Sequence, residues 1–282
     1  MILTIDEMGA EMKYKIGEVS KILNIPVETL RFYEKQNIVN PQKDPYSNYR
    51  YYDAWDINYL LEYKKYRGMK YSSKEIQQIL QKDSLEDFLA RLEAKQEEYE
   101  RKRTYYDLLM VKNLNYQNVL LNAKENIGTF TLTESPELYY FIHRYNDQYE
   151  SVDKFDGLFE AWMEYYPFIE NMIRIEREVL LNRKERNDYQ WGFGIKRYYA
   201  RELNIPIAAQ VTHLPSRPSI YTMLTFGERG TFTLSAFEPA LAYMEREGLE
   251  VAGDVIGNLI LRAHNPDGYT RYIETWIPVK KK

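Results

Sequence analysis

From Ser84 to Asn122 the chain contains neither glycine nor proline. A run of that length without the two strongest helix breakers commits the polypeptide to one long helix, with separate bodies before and after it. In heptad register its a positions are Leu85, Leu92, Tyr99, Tyr106, Asn113 and Leu120, and its d positions are Phe88, Lys95, Lys102, Leu109 and Tyr116. The seam is apolar at both ends and polar in the middle. This predicts a coiled-coil dimerisation helix over 84–124, a homodimer formed through residues 84–122, and a register set by Asn113 at some cost in stability. The competing reading is a solvated helix lying on its own domain.

Ahead of that helix, Ile16, Val19, Ile22 and Leu23 repeat at helical spacing. Asn24-Ile25-Pro26 breaks the pattern, and Pro26 suits the start of a second short helix carrying Leu30 and Tyr33 on one face. Two short helices across a tight turn predict a helix-turn-helix. The polar loop from Pro41 to Tyr52, with Pro45, Ser47 and Asn48, predicts a β-hairpin wing. Asp53 with Asp56, and Ser72 with Glu75, form two capping boxes that open further helices. Gly68 closes the first of these, and Lys65, Arg67, Lys70 and Tyr71 gather near the turn after it.

Charge supports contact with nucleic acid. Lys13 to Lys82 holds 13 Lys/Arg against 8 Asp/Glu, a net of +5 in a chain of net −4, so the remainder carries −9. A basic first quarter on an acidic body is the footprint of a local nucleic-acid site. Guanidinium and phenol groups suit phosphate and sugar contacts, which nominates Thr29, Arg31, Phe32, Tyr33, Tyr49, Arg50, Tyr51, Lys65, Lys70 and Tyr71. Tyr33 and Tyr51 equally suit packing the wing onto the core.

Cysteine is absent, which excludes disulfides, thiolate metal sites and thiol redox chemistry. His143, His213 and His264 have no metal-ligand spacing. No cofactor is expected. No basic-then-apolar leader and no run of eighteen apolar residues is present, so a cytoplasmic protein with no membrane association is expected.

After Gly128 the pattern changes. Tyr139–Tyr145 reads as a strand and Lys154–Ile175 as an aromatic-rich amphipathic helix. Trp191–Ile195 and Ile207–Thr212 read as strands. The order then recurs, with strand Ile220–Phe226, helix Leu234–Glu247, and strands Val251–Leu261 and Tyr269–Pro278. A strand–helix–strand–strand unit used twice predicts an α+β domain with internal pseudo-symmetry, with charged loops at 147–153 and 183–189.

On the closing strand Tyr272, Glu274 and Trp276 share one face, opposite Ile273, Thr275 and Ile277. An acid between two aromatics suits a lipophilic cation: rings supply area and cation–π attraction, and the carboxylate supplies the opposing charge. Tyr140, Trp162, Tyr165, Tyr166, Trp191 and Phe193 are further candidate wall residues, each as well suited to a core, and Asn258 on the preceding strand could offer a hydrogen bond. A Glu274 facing solvent beside scattered aromatics is the alternative.

The first quarter resembles the MerR family of transcription regulators. The resemblance rests on Ile16-Gly17-Glu18-Val19-Ser20, Thr29-Leu30-Arg31-Phe32-Tyr33-Glu34, Tyr49-Arg50-Tyr51-Tyr52 and Gly68-Met69-Lys70-Tyr71-Ser72 before Glu75-Ile76. The second half resembles the GyrI-like effector-binding domain of multidrug-sensing, BmrR-type members. That likeness rests on the duplicated strand–helix pattern and on Tyr272 to Val279. The resemblance implies a multi-domain chain: a 1–12 extension, an all-α winged helix-turn-helix over 13–83, the dimerisation helix over 84–124, and an effector-binding domain over 126–282. It further implies a dimer on a double-stranded promoter that bends and untwists the spacer for RNA polymerase when a small organic effector binds. Metal-sensing relatives use cysteines after the long helix, which this chain lacks. Two other functions are compatible with the residues. One is hydrolysis of a small electrophile with Glu274 as general base; the other is constitutive DNA bending.

Overall fold

Residues 13–282 are described by the structure, a computed structural model, apart from residues 45, 47, 48, 156, 184–186, 229 and 267. The 1–12 extension, the tip of the expected wing at Pro45, Ser47 and Asn48, and part of the expected 183–189 loop therefore lie outside the described residues. The chain divides into two compact units, one ending at Glu98 and the next beginning at Tyr99.

In the first unit β1 (Tyr14–Lys15) leads into α1 (Ile16–Leu23) and α2 (Val27–Lys35); then come β2 (Gln42–Lys43), β3 (Arg50–Tyr52), α3 (Ala54–Gly68) and α4 (Ser73–Gln81). α1 buries Val19 and Leu23 and ends on Asn24, which takes the left-handed conformation at φ 49°. Pro26 is the N-cap of α2. Both expected capping boxes are present: Asp53 accepts from the Asp56 amide, and Ser72 from the Glu75 amide. Val19, Leu30, Tyr52 and Leu60 make one core cluster, and Ile38, Tyr63, Tyr71 and Ile76 a second. The unit is not all-α. Strands β1, β3 and β2 form a small antiparallel sheet because the wing returns beside the chain's entry, pairing Lys15 with Tyr51 and Gln42 with Tyr51.

The breaker-free run is one helix, α5 (Leu85–Leu121). Four of its five expected d positions make intramolecular contacts, and Lys102 is exposed. In the first unit Phe88 meets Tyr66 edge-on at 5.6 Å, and Lys95, 6% exposed, stands over the Tyr71 ring at 4.6 Å. In the second unit Leu109 packs on the domain core and Tyr116 donates to the Ile260 carbonyl. The apolar side chains α5 leaves exposed include Tyr106, at an expected a position, and Met110, Leu114 and Leu121, which lie beside the expected seam.

The second unit continues with α6 (Ala123–Asn126), β4 (Thr131–Glu134), β5 (Leu138–Tyr145), β6 (Gln148–Tyr149), α7 (Leu158–Met163), β7 (Glu170–Ile175) and α8 (Arg177–Leu181). β8 (Gln190–Lys196), α9 (Arg197–Glu202), β9 (Thr212–Leu214), β10 (Pro218–Phe226), α10 (Glu238–Arg246), β11 (Leu249–Val251), β12 (Val255–Asn265) and β13 (Gly268–Lys281) complete it. The main sheet runs β4-β10-β13-β12-β7-β8-β5-β6. Two units of strand, helix, strand, strand are visible in it: β5-α7-β7-β8 and β10-α10-β12-β13. Within the sheet the first unit lies in the order second, third, first strand, and the other in the mirror order. They join where β7 pairs with β12, Ile175 opposite Val255.

Three boundaries differ from expectation. The helix expected over Lys154–Ile175 ends at Met163, because Pro167 lacks an amide donor and Glu170–Ile175 instead hydrogen-bonds to strands on both sides. The strand expected over Ile207–Thr212 is Thr212–Leu214, where pairing with β5 is available. Gly253 bends the chain between β11 and β12, dividing the strand expected over Val251–Leu261.

β13 alternates as its sequence requires. Ile273, Ile277 and Val279 join Ala240 and Met244 of α10 in the largest core cluster, whereas Trp276 joins Tyr140, Met172 and Ile256 on the other face. Glu274 shares the face of Trp276.

Candidate DNA interface and ligand cavity

α2 turns Leu30 inward, fully buried, and leaves Arg31 and Phe32 exposed. Tyr49, Lys65 and Lys70 are exposed too; Thr29, Tyr33, Arg50 and Tyr51 are half-buried. Tyr33 packs its ring 4.8 Å from that of Tyr63, and burial pushes its phenol above the usual range. Arg50 is bound to Glu34 through Nε, and Tyr52 donates to the other oxygen of the same carboxylate at 2.6 Å. Glu34 therefore ties α2 to the wing, a role sequence reasoning missed although the residue sits inside the quoted motif. Tyr71 is corrected: it is 2% exposed and donates to the Arg91 carbonyl at 3.3 Å, so it anchors α5 instead of facing outward. Arg67 closes the same turn, donating to the Tyr71 carbonyl at 2.7 Å. The left-handed turn at Lys70, φ 64°, leaves that ammonium outside.

In the second unit Glu274 is 6% exposed and lines a cavity of about 380 Å³. α5 supplies one wall through Leu109, Lys112, Asn113 and Tyr116; Tyr166, Tyr199 and Asn258 stand around the carboxylate. Tyr221 donates to Glu274 Oε1 at 3.1 Å, its one side-chain hydrogen bond among the described residues. The nearby ammonium of Lys112 is engaged with Glu170 at 2.8 Å. Burial raises the Glu274 carboxyl above the usual glutamate range; Lys196 and the Tyr221 hydrogen bond oppose the shift without cancelling it. An ionised carboxylate at this depth is costly unless a positive charge lies against it.

The expected wall residues divide. Glu274, Asn258 and Tyr166 line this cavity. Trp162 does not: it is fully buried, donates to the Pro206 carbonyl at 3.2 Å and packs on Phe141, so it belongs to the core. Tyr165 and Phe193 pack against that same core. Tyr140 and Trp276 are each 9% exposed and pack together in one cluster. Tyr272 is absent from the lining, and Trp191 faces a different cavity. The aromatic walls of the Glu274 cavity come instead from Tyr116, Tyr166 and Tyr199. Tyr116 and Lys112 lie about 160 residues from Glu274 in sequence, and no local signal pairs them.

Among the described residues no group of acidic or imidazole side chains could hold a metal ion, and no helix is long and apolar enough to cross a membrane.

Residues 14–83 match the family model described as MerR HTH family regulatory protein. The multidrug-efflux transporter 1 regulator of Bacillus subtilis (strain 168) is 32% identical over 77 residues, covering 27% of this chain and 27% of that protein. The HTH-type transcriptional regulator HmrR of Rhizobium leguminosarum bv. viciae is 34% identical over 65 residues, 23% of this chain and 50% of its own length. The chain thus spans half or less of each of these relatives. The solved EcmrR–DNA complex in EcmrR-RPo covers 95% of this chain and all of its own at 17% identity, with a TM-score of 0.36.

Proposed function

We propose, from a chain whose residues 14–83 are a MerR-family helix-turn-helix module, a homodimeric, ligand-responsive transcription regulator. Its first unit grips promoter DNA through Arg31, Phe32, Tyr49, Lys65 and Lys70. Its GyrI-like second unit takes up a lipophilic organic cation against Glu274. The ligand reading rests on one observation: a carboxylate 6% exposed, held by a single tyrosine hydroxyl, at a cavity with three tyrosines in its walls. The exposed stripe of Tyr106, Met110, Leu114 and Leu121 is the surface a second copy would cover. Activation follows by bending and untwisting the promoter for RNA polymerase.

For DNA, the full chain is expected to bind its promoter duplex with an affinity that falls steeply as salt rises. Arg31→Ala or Lys65→Ala should lower the slope of log affinity against log salt by about one. Tyr71→Phe should leave that slope unchanged, because the side chain is buried. Fluorescence anisotropy across a salt series measures both, and an unchanged slope in Arg31→Ala and Lys65→Ala together would remove them from the interface.

For the ligand, the raised carboxyl sets a pH dependence. A permanent cation such as tetraphenylphosphonium favours ionised Glu274. Its affinity should therefore rise as pH climbs from the usual glutamate range through the raised value, then level off, with proton release in that window. Without ligand the sign for stability is opposite. The folded chain holds this proton more tightly than the unfolded chain, so Glu274's contribution to stability is lost as pH rises through the same window. Calorimetry in buffers of different ionisation enthalpy checks the release. A pH-independent affinity that vanishes on Glu274→Gln would contradict the assigned protonation. Turnover of an ester abolished by the same variant would instead support hydrolysis.

A further inference from the structure

A second cavity of the same unit, about 590 Å³, has the opposite chemistry. It is lined by His143 and Arg144 of β5, Trp191 of β8, Arg262 of β12 and Tyr269 and Arg271 of β13. It shares only Asn171 and Leu259 with the lining of the Glu274 cavity. Arg144, Arg262 and Arg271 line it, with Asp147 the one carboxylate among the described residues of the lining. Arg262 and Arg271 are register partners on adjacent antiparallel strands, so their side chains leave the same face side by side. Like charges placed so are unfavourable unless something anionic lies between them.

The guanidiniums are already oriented. Arg271 donates to the Gly227 and Glu228 carbonyls at 2.9 and 3.0 Å. Arg262 stands 4.8 Å from the Tyr269 ring centroid, and Arg144 lies 5.2 Å from that of Trp191 and 5.5 Å from that of Tyr149. Two side-chain atoms of lining residues are buried without a hydrogen-bond partner: Arg144 Nε, and Nδ1 of His143, itself 6% exposed. Burial, with Arg144 adding to it, lowers the imidazole to about 4, so His143 is neutral at neutral pH and presents an unmet ring nitrogen. Tyr189, Trp191 and Phe232 complete flat apolar walls.

We propose that this cavity is a second ligand site, selective for a planar aromatic anion. Its carboxylate, or an equivalent oxyanion, is held by Arg144 and Arg262, and its ring lies against Tyr189, clear of the Trp191 face that Arg144 covers. The site does not depend on the cation reading, because its charged residues are distinct from those around Glu274.

The test uses the full chain and 1-naphthoate, followed by calorimetry and by quenching of Trp fluorescence. Saturable binding is expected, with neutral 1-naphthol at least about tenfold weaker. Arg144→Gln and Arg262→Gln should each weaken 1-naphthoate at least about tenfold, whereas Arg262→Lys, which retains the charge, should lose less. Glu274→Gln should leave naphthoate binding unchanged while removing tetraphenylphosphonium binding. Circular dichroism melting of each variant separates lost binding from lost folding. Three results would overturn the proposal: no saturable naphthoate binding, equal binding of naphthol, or binding that survives both glutamine substitutions in a folded chain. Loss of cation binding alone bears on Glu274 and not on this site.

Discussion

Replacing Glu274 with glutamine is expected to weaken binding of tetraphenylphosphonium by about 2 to 5 kcal/mol, roughly 30- to 4,000-fold. Glutamine keeps the shape of the side chain and can still accept from Tyr221, so the cavity survives and only its charge disappears. The loss should be confined to cations: an uncharged aromatic of similar size should bind the variant at least as well as the parent. The variant should also melt at or above the parent's temperature at neutral pH, because an acid held against its charge has been removed. Equilibrium titration of parent and variant with a charged and a neutral ligand decides it. Equal loss of both would mean that the substitution collapses the cavity and that the carboxylate is not its selective element.

Trp162→Ala is expected to act on folding, with a loss of about 3 to 5 kcal/mol of stability. The indole is fully buried against Phe141 in the cluster that α7 brings to the sheet, and its ring nitrogen donates to the Pro206 carbonyl. Truncation removes both the packing and the donor, leaving a void that surrounding aromatic rings fill poorly. Urea unfolding should show an earlier midpoint for the second unit, while the folded fraction should bind tetraphenylphosphonium as the parent does. A variant of undiminished stability that no longer bound the cation would return Trp162 to the cavity wall.

Much of the architecture is local information. The absence of Gly and Pro from 84 to 122 specifies α5, the capping boxes at Asp53 and Ser72 place two helix starts, and strict alternation along β13 assigns its faces. Lys154–Ile175 misleads because its aromatics fit two periodicities, and only the partners on either side of β7 choose the strand. The same limit governs the cavities. Glu274 is legible from its strand alone, yet the tyrosines around it come from α5, from the turn before β7 and from α9. Of the aromatics nearest it in sequence, Trp276 is taken up by the core and Tyr272 is half-buried outside the cavity lining. Arg144, Arg262 and Arg271 come together only through sheet pairing across more than a hundred residues, and nothing around any one of them announces the others.

The joint between the two repeats has a mechanical consequence. β7 and β12 are hydrogen-bonded along the middle of one continuous sheet, so the domain has no cleft between its halves to open or shut. Hinged closure of two lobes, a common way of registering a small molecule, is unavailable to it. Bordering the Glu274 cavity without being stitched into the sheet are the stretch of α5 from Leu109 to Val119, the Tyr166–Pro167 turn and Tyr199 of α9. In the proposed reading an occupant would lie between the sheet and α5, like a stop against a rod. The sheet supplies the fixed reference, and Tyr116 and Lys112 of the helix are tied to it at the Ile260 carbonyl and at Glu170.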